Sequence, residues 1–169
     1  MKRRFNFTEI AVTDNDKLTT LAKSSLCKGM DSSEIRDIIK YFHSYRVEKG
    51  AIIYAEGDEE AFLFLIVSGT VNVLKADNKV ISKLTASETV GEMTIIDELP
   101  RSANAVAATD VTVYAITRAG FNELKTFSLE IWSKLLMNIA VCLSARLRQT
   151  SKLLMKYMQQ VGAEEESES

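Results

Sequence analysis

The run Phe62-Leu63-Phe64-Leu65-Ile66-Val67 contains no polar residue that it could turn toward water. A strand with one solvated face alternates apolar and polar side chains, so this run has to be covered on both faces. The rest of the chain must therefore supply a layer on each side of it. Between Tyr45 and Thr117 the sequence is cut into short β-branched or aromatic runs by Glu48-Lys49-Gly50, Glu56-Gly57-Asp58, Ser68-Gly69, Ala76-Asp77-Asn78 and Ala108-Thr109-Asp110. Many short strands at even spacing suggest a barrel or roll.

Helical periodicity flanks this region. Apolar residues recur at three and four positions from Asp14 to Leu26 and again from Asp31 to Tyr41. The second stretch opens on Asp31-Ser32-Ser33-Glu34, an N-cap with a Glu three residues on, and offers Ile35, Ile38, Ile39 and Phe42 as its buried stripe. Beyond the strands, Arg118 to Thr126 reads as a short helix and Leu129 to Val161 as a long one without Pro or Gly. Residues 162–169 are acidic and poor in apolar side chains, and disorder is expected there. The organisation read from these signals is α+β: an N-terminal helical segment over 1–26, one β-rich domain over 27–161 that includes the helix 129–161, and a disordered tail over 162–169.

Composition removes several classes of function. With 169 residues, 46% of them apolar, the chain suits one domain with a real core. Twenty-one basic and 23 acidic residues nearly cancel, so the whole chain has no electrostatic pull toward nucleic acid or acidic membranes. No apolar stretch follows Met1-Lys2-Arg3-Arg4, so neither a signal peptide nor a membrane anchor is expected, and a cytoplasmic location is. Cys27 and Cys142 form no CxxC pair and have only His43 to help them, so no metal site is expected. Both thiols read as small buried apolar side chains, and His43 as a structural or surface residue rather than a base. Without a P-loop or a catalytic dyad, neither an enzyme nor a cofactor is expected.

One segment breaks the strand pattern: Gly91-Glu92-Met93-Thr94-Ile95-Ile96-Asp97-Glu98-Leu99-Pro100-Arg101-Ser102-Ala103. A glycine after Val90 allows close backbone approach, and Glu92 to Asp97 suit one helical turn whose free N–H groups face an anion. Pro100 ends the excursion, and Arg101, expected to begin the next strand, brings a guanidinium fork matched to phosphate oxygens. Ser102 adds a hydroxyl, and Glu92, which only accepts hydrogen bonds, suits a sugar hydroxyl. The pair describes a ribose phosphate; the alternative is an ordinary Glu92–Arg101 ion pair that holds a loop.

With Lys49-Gly50-Ala51-Ile52-Ile53-Tyr54-Ala55-Glu56-Gly57-Asp58 and Phe64-Leu65-Ile66-Val67-Ser68-Gly69-Thr70-Val71 ahead of it, this segment resembles the phosphate-binding cassette of the cyclic-nucleotide-binding domains of catabolite activator proteins, protein kinase regulatory subunits and ion channels. The resemblance spans roughly residues 25 to 160. It implies a double-stranded β-helix, a jelly-roll-like β-roll of about eight strands with N-terminal helices and a long C-terminal helix. It also implies Glu92 on the ribose 2′-hydroxyl, Arg101 on the cyclic phosphate, and the backbone of Gly91 and Met93 nearby. Val73, Ser82 and Leu84 fall where strands line the pocket, with Val73 and Leu84 on sugar and base; ordinary core packing is the alternative for all three. Thr94 departs from the commonest pattern, since many members carry a small apolar residue there.

In the last helix Leu136, Ala140, Leu143, Leu147, Thr150, Leu154, Tyr157 and Val161 follow a heptad seam, and Trp132, Leu135, Ile139, Cys142 and Leu153 form a second stripe that suits packing on the roll. A parallel homodimer through 129–161 is expected, the alternative being one helix burying a wide face in its own subunit. The stretch Ala145-Arg146-Leu147-Arg148-Gln149-Thr150-Ser151 is similar to the corresponding helix of catabolite activators, which implies Thr150 and Ser151 on adenine across the dimer; a polar register-setter is the other reading of Thr150. By the same resemblance a threonine after the cassette arginine favours cyclic GMP, and Ser102 stands there, so cyclic AMP is the expected ligand. The helix-turn-helix of the activators is not expected in this chain. The expectation is a stand-alone cyclic AMP sensor that regulates an unidentified effector protein, with no direct DNA or membrane binding. The alternatives are a ligand-free dimerisation module and a regulator of DNA binding in trans, the latter supported only by Lys2, Arg3 and Arg4.

Overall fold

In the computed structural model, which describes residues 7–75 and 78–167 and side chains as far as Gln160, the apolar run becomes strand β4, Phe62–Ser68. It pairs antiparallel with β9, Val111–Thr117, on one side and β7, Thr89–Val90, on the other, so it is interior to its sheet. Its side chains alternate between two cores. Leu63 and Leu65 point into a cluster shared with the helices, and Phe64 and Ile66 into a cluster enclosed between sheets. All four are at most 1% exposed. Burying such side chains is worth about 1.5–3 kcal/mol each, so β4 is the seam that joins the two halves of the core.

Two antiparallel sheets make the roll. The first runs β1-β2-β9-β4-β7, with β1 at Phe7–Glu9 and β2 at His43–Val47. The second runs β3-β8-β5-β6, with β3 at Ile52–Tyr54, β5 at Val71–Lys75, β6 at Lys79–Leu84 and β8 at Asn104–Ala107. Eight of the nine strands among the described residues lie between His43 and Thr117, as the turn spacing predicts. Ala76 and Asp77 of the predicted β5–β6 turn lie outside the described residues, as do Lys2, Arg3 and Arg4.

The helices cover one face. Helix α1 spans Asp14–Lys23 and α2 spans Ser32–Ile39. Asp31 caps α2 through the N–H groups of Ser33 and Glu34, and the Glu34 carboxylate accepts from the Asp31 N–H at 3.0 Å. This is the capping box read from the sequence. Ile35, Ile38, Ile39 and Phe42 are buried as predicted.

The N-terminal segment departs from a uniform helix. Ser24 is extended and its hydroxyl donates to the Leu21 carbonyl at 2.7 Å, which ends α1 and leaves Ser25–Cys27 as a separate 3-10 turn. Phe7–Glu9 is a strand because pairing with β2 and the Phe7 contacts to Tyr45 and Phe64 decide its conformation, and three residues carry no readable period.

The cassette turn is α3, Met93–Asp97; α4 is Arg118–Phe127; α5 is Leu129–Ser167. The backbone of α5 stays helical past Gly162, a single glycine costing only about 1 kcal/mol against alanine. At about 1.5 Å per residue such a helix reaches well beyond the roll. Ile131, Leu135 and Ile139 are buried in the helical cluster, and Leu136 and Leu143 pack against it. The proposed seam is therefore partly used by the subunit itself, while Ala140, Leu147, Thr150, Leu154 and Tyr157 are exposed. Leu153, expected to pack on the roll, is 56% exposed because the roll ends before it. No helix among the described residues is long and apolar enough to cross a membrane.

Candidate functional site

The cassette begins where β7 ends. Gly91 has φ +81°, in the left-handed region that favours glycine, and a Cβ there would run into the Arg101 guanidinium and, at 2.9 Å, the Phe62 carbonyl oxygen. Only glycine lets the arginine lie against the backbone at this point. The chain then winds through α3, and Glu98 closes it in the left-handed conformation at φ 60°. Arg118, at the start of α4, holds this turn from behind by donating to the Thr94 carbonyl and pairing with Glu98 at 3.6 Å.

Arg101 precedes β8 rather than opening it, and it is 4% exposed. Nη1 donates to the Gly91 carbonyl at 2.6 Å and to the Thr94 hydroxyl at 2.7 Å; Nη2 donates to the Phe62 carbonyl at 2.8 Å. The guanidinium carbon sits 4.1 Å from the centroid of the Tyr54 ring. Burial pushes the Arg101 pKa down, against the pull of Tyr54, Glu92 and Asp58, and an arginine remains a cation under either influence. Burial likewise pushes the Tyr54 hydroxyl up to about 12. Nε of Arg101 is buried without a hydrogen-bond partner.

Glu92 is 2% exposed. It does not pair with Arg101. Its Oε1 accepts from Arg146 of α5, whose other terminal nitrogen donates to the Thr89 carbonyl, and its Oε2 is buried without a partner. The loop-holding ion pair is thus replaced by one that ties the last helix to the cassette. Three buried atoms around the cassette lack partners: a donor on Arg101, an acceptor on Glu92 and, behind the turn, Nε of Arg118. Leaving such a buried group unsatisfied costs about 1–3 kcal/mol.

The other predicted residues divide into three groups. Met93 is 47% exposed, and Ser102 is exposed beside it, with its hydroxyl 3.9 Å from the Met93 sulfur. Leu84 is buried in the core between the sheets, Val73 packs against that core, and Val73 is paired in register with Ser82 and Ala105. Thr150 and Ser151 are exposed on α5, and the Ser151 hydroxyl donates to the Leu147 carbonyl at 2.9 Å. Among the described contacts none joins either residue to the cassette of the same chain.

Sequence reasoning missed Arg146, Thr94 and Tyr54. A signal for Arg146 existed: it lies four residues after Cys142 and seven after Ile139, on the stripe read as facing the roll. Tyr54 and the hydroxyl of Thr94 left no such mark, because their role depends on where Arg101 turns. Of the two thiols, Cys27 is buried and pushed up to about 12 by that burial, while Cys142 is half-buried with its sulfur 3.7 Å from the Thr89 hydroxyl. A concavity of about 630 Å³ lies away from the cassette, along α5, lined by Met137, Ala140, Val141, Ser144, Arg148 and Lys152 among others.

Residues 45–126 match the model of a family described as cyclic nucleotide-binding domain. A cAMP-dependent protein kinase regulatory subunit of Candida albicans is 32% identical over 116 residues, covering 68% of this chain and 25% of the relative. A cyclic AMP receptor protein of Thermus thermophilus is 29% identical over 130 residues, covering 75% of this chain and 58% of the relative. The chain thus spans between a quarter and about three fifths of these relatives. A solved cyclic nucleotide-binding domain from Methylobacillus flagellatus superposes with a TM-score of 0.79 at 26% identity, covering 89% of this chain and 88% of that one.

Proposed function

Because the chain belongs to the cyclic nucleotide-binding domain family through residues 45–126, we propose that it is a sensor whose ligand is 3′,5′-cyclic AMP and whose bound form regulates another protein. The observation that carries this reading is the pair of unpartnered buried atoms on Arg101 and Glu92. The cyclic phosphate accepts from Arg101 Nε, and the ribose 2′-hydroxyl donates to Glu92 Oε2. Each satisfies a group that is otherwise stranded. The backbone at exposed Met93, where α3 starts, adds a donor, and the Ser102 hydroxyl lies beside it. Val73, Ser82 and Leu84 receive the sugar and base, and Thr150 and Ser151 reach the adenine from the α5 of a second copy.

The ligand's effect runs through Arg146. A ribose on Glu92 competes with or shares the carboxylate that now holds α5, so nucleotide and helix position are coupled. Arg118 carries the same signal to α4 from the other side of α3. To shift the equilibrium the ligand must bind one arrangement more tightly, by about 1.4 kcal/mol for each tenfold change in the population ratio. The exposed line Ala140, Leu147, Thr150, Leu154 and Tyr157 supports a parallel homodimer as the unit in which this occurs.

Isothermal titration with cyclic AMP and cyclic GMP tests the reading. One site per chain with cyclic AMP the tighter ligand is expected, and Arg101→Ala should weaken it at least a hundredfold. Heat absent with both nucleotides overturns the sensor, and a tighter constant for cyclic GMP overturns the choice of base.

A further inference from the structure

A guanidinium has five N–H donors arranged in a plane, with Nε and Nη2 sharing one edge and Nη1 and Nη2 the other. In Arg101, Nη1 donates to the Gly91 carbonyl and to the Thr94 hydroxyl, and Nη2 donates to the Phe62 carbonyl. Nε, which shares its edge with Nη2, is buried without a hydrogen-bond partner. The Thr94 hydroxyl closes this arrangement. It accepts from Nη1 at 2.7 Å and donates to the Gly91 carbonyl at 3.0 Å, so Gly91, Thr94 and Arg101 form a closed ring of hydrogen bonds. Thr94 is 2% exposed, and its hydroxyl lies in the interior of the cassette rather than in solvent.

We infer that Thr94 is a positioning residue for ligand affinity: its hydroxyl fixes the Nη1 end of Arg101 and so presents the Nε–Nη2 edge to the cyclic phosphate. This rests on the nucleotide-binding reading. Enclosed in the cassette, the hydroxyl acts by removing a rotation that the arginine would otherwise lose on binding. A side chain of the same shape without the hydroxyl keeps the packing and leaves Nη1 with one acceptor in place of two.

The test is cyclic AMP titration of the wild-type chain, Thr94→Val, Thr94→Ser, Arg101→Lys and the double variant Thr94→Val with Arg101→Lys, with thermal unfolding of each ligand-free protein. Thr94→Val should bind about tenfold more weakly, equivalent to about 1.4 kcal/mol, and Thr94→Ser should stay within about twofold of wild type. In the Arg101→Lys background, where the donors form no planar fork, Thr94→Val should change affinity by less than about twofold. If Thr94→Val does not fold, Thr94→Ala takes its place with the same expectation. Unchanged or tighter binding by the valine variant overturns the inference, as does an equal loss in Thr94→Ser or an undiminished loss in the lysine background. A wild-type protein that binds no cyclic nucleotide defeats the sensor reading itself, a separate outcome.

Discussion

Arg146 and Glu92, separated by 54 residues, meet through one guanidinium nitrogen on one carboxylate oxygen, and the second terminal nitrogen of Arg146 bonds the carbonyl of Thr89. The long helix is therefore fastened to the cassette at the residue assigned to the ribose. The carboxylate is almost wholly buried and the guanidinium side chain is 29% exposed, so the pair lies at the border where removing one partner is costly.

Arg146→Ala should lower the stability of the ligand-free protein by about 1–3 kcal/mol, because it strands the Glu92 carboxylate. Urea unfolding measures this. Adding Glu92→Gln to the variant should recover part of the loss, since a buried neutral amide is cheaper than a buried unpaired charge. An additive double variant would show that the two residues do not act as a pair.

Gly91→Ala should reduce cyclic AMP affinity more than tenfold and lower the unfolding temperature. The φ of +81° is costly for a residue with a Cβ, by about 1–2 kcal/mol, and the added methyl displaces Arg101. Calorimetry and thermal unfolding read the two effects separately.

Alkaline pH should destabilise the fold through Cys27. Its thiol is raised from 9.0 to about 12 by burial, so the unfolded chain loses this proton at lower pH than the folded one. The neutral-thiol contribution is complete below pH 9 and declines as the pH rises toward 12. Cys27→Val should flatten that part of the stability profile. A thiol reagent should label half-buried Cys142 first and reach Cys27 only on unfolding.

Leu147→Lys with Leu154→Lys should leave a monomer at micromolar concentration if α5 pairs two copies. Leu147 is 68% and Leu154 57% exposed, so neither change disturbs the roll. Sedimentation equilibrium of wild type and variant decides it; a wild-type monomer with and without nucleotide removes the dimer.

Local signals carried most of the fold. The capping box at Asp31 and Glu34, the two-sided run Phe62–Val67 and the turn glycines are all short-range patterns, and the structure keeps them. β1 was hidden because only pairing with β2 makes Phe7–Glu9 a strand. In the site, Gly91, Glu92 and Arg101 were legible because their chemistry is unusual among the strands. Arg146 and Tyr54 act through contacts that span many residues, and the Thr94 hydroxyl through where Arg101 turns, and a reading along the chain weighs such residues one at a time. The seam of α5 was half legible: heptad spacing finds Leu136 and Leu143, but not that their own subunit already covers them.

The most direct test is a crystal structure grown with saturating cyclic AMP. The account predicts phosphate oxygens on the Nε and Nη2 edge of Arg101 and the ribose hydroxyl on Oε2 of Glu92. Density for nucleotide elsewhere, or a cassette in which Arg101 Nε and Glu92 Oε2 still lack partners, would contradict it.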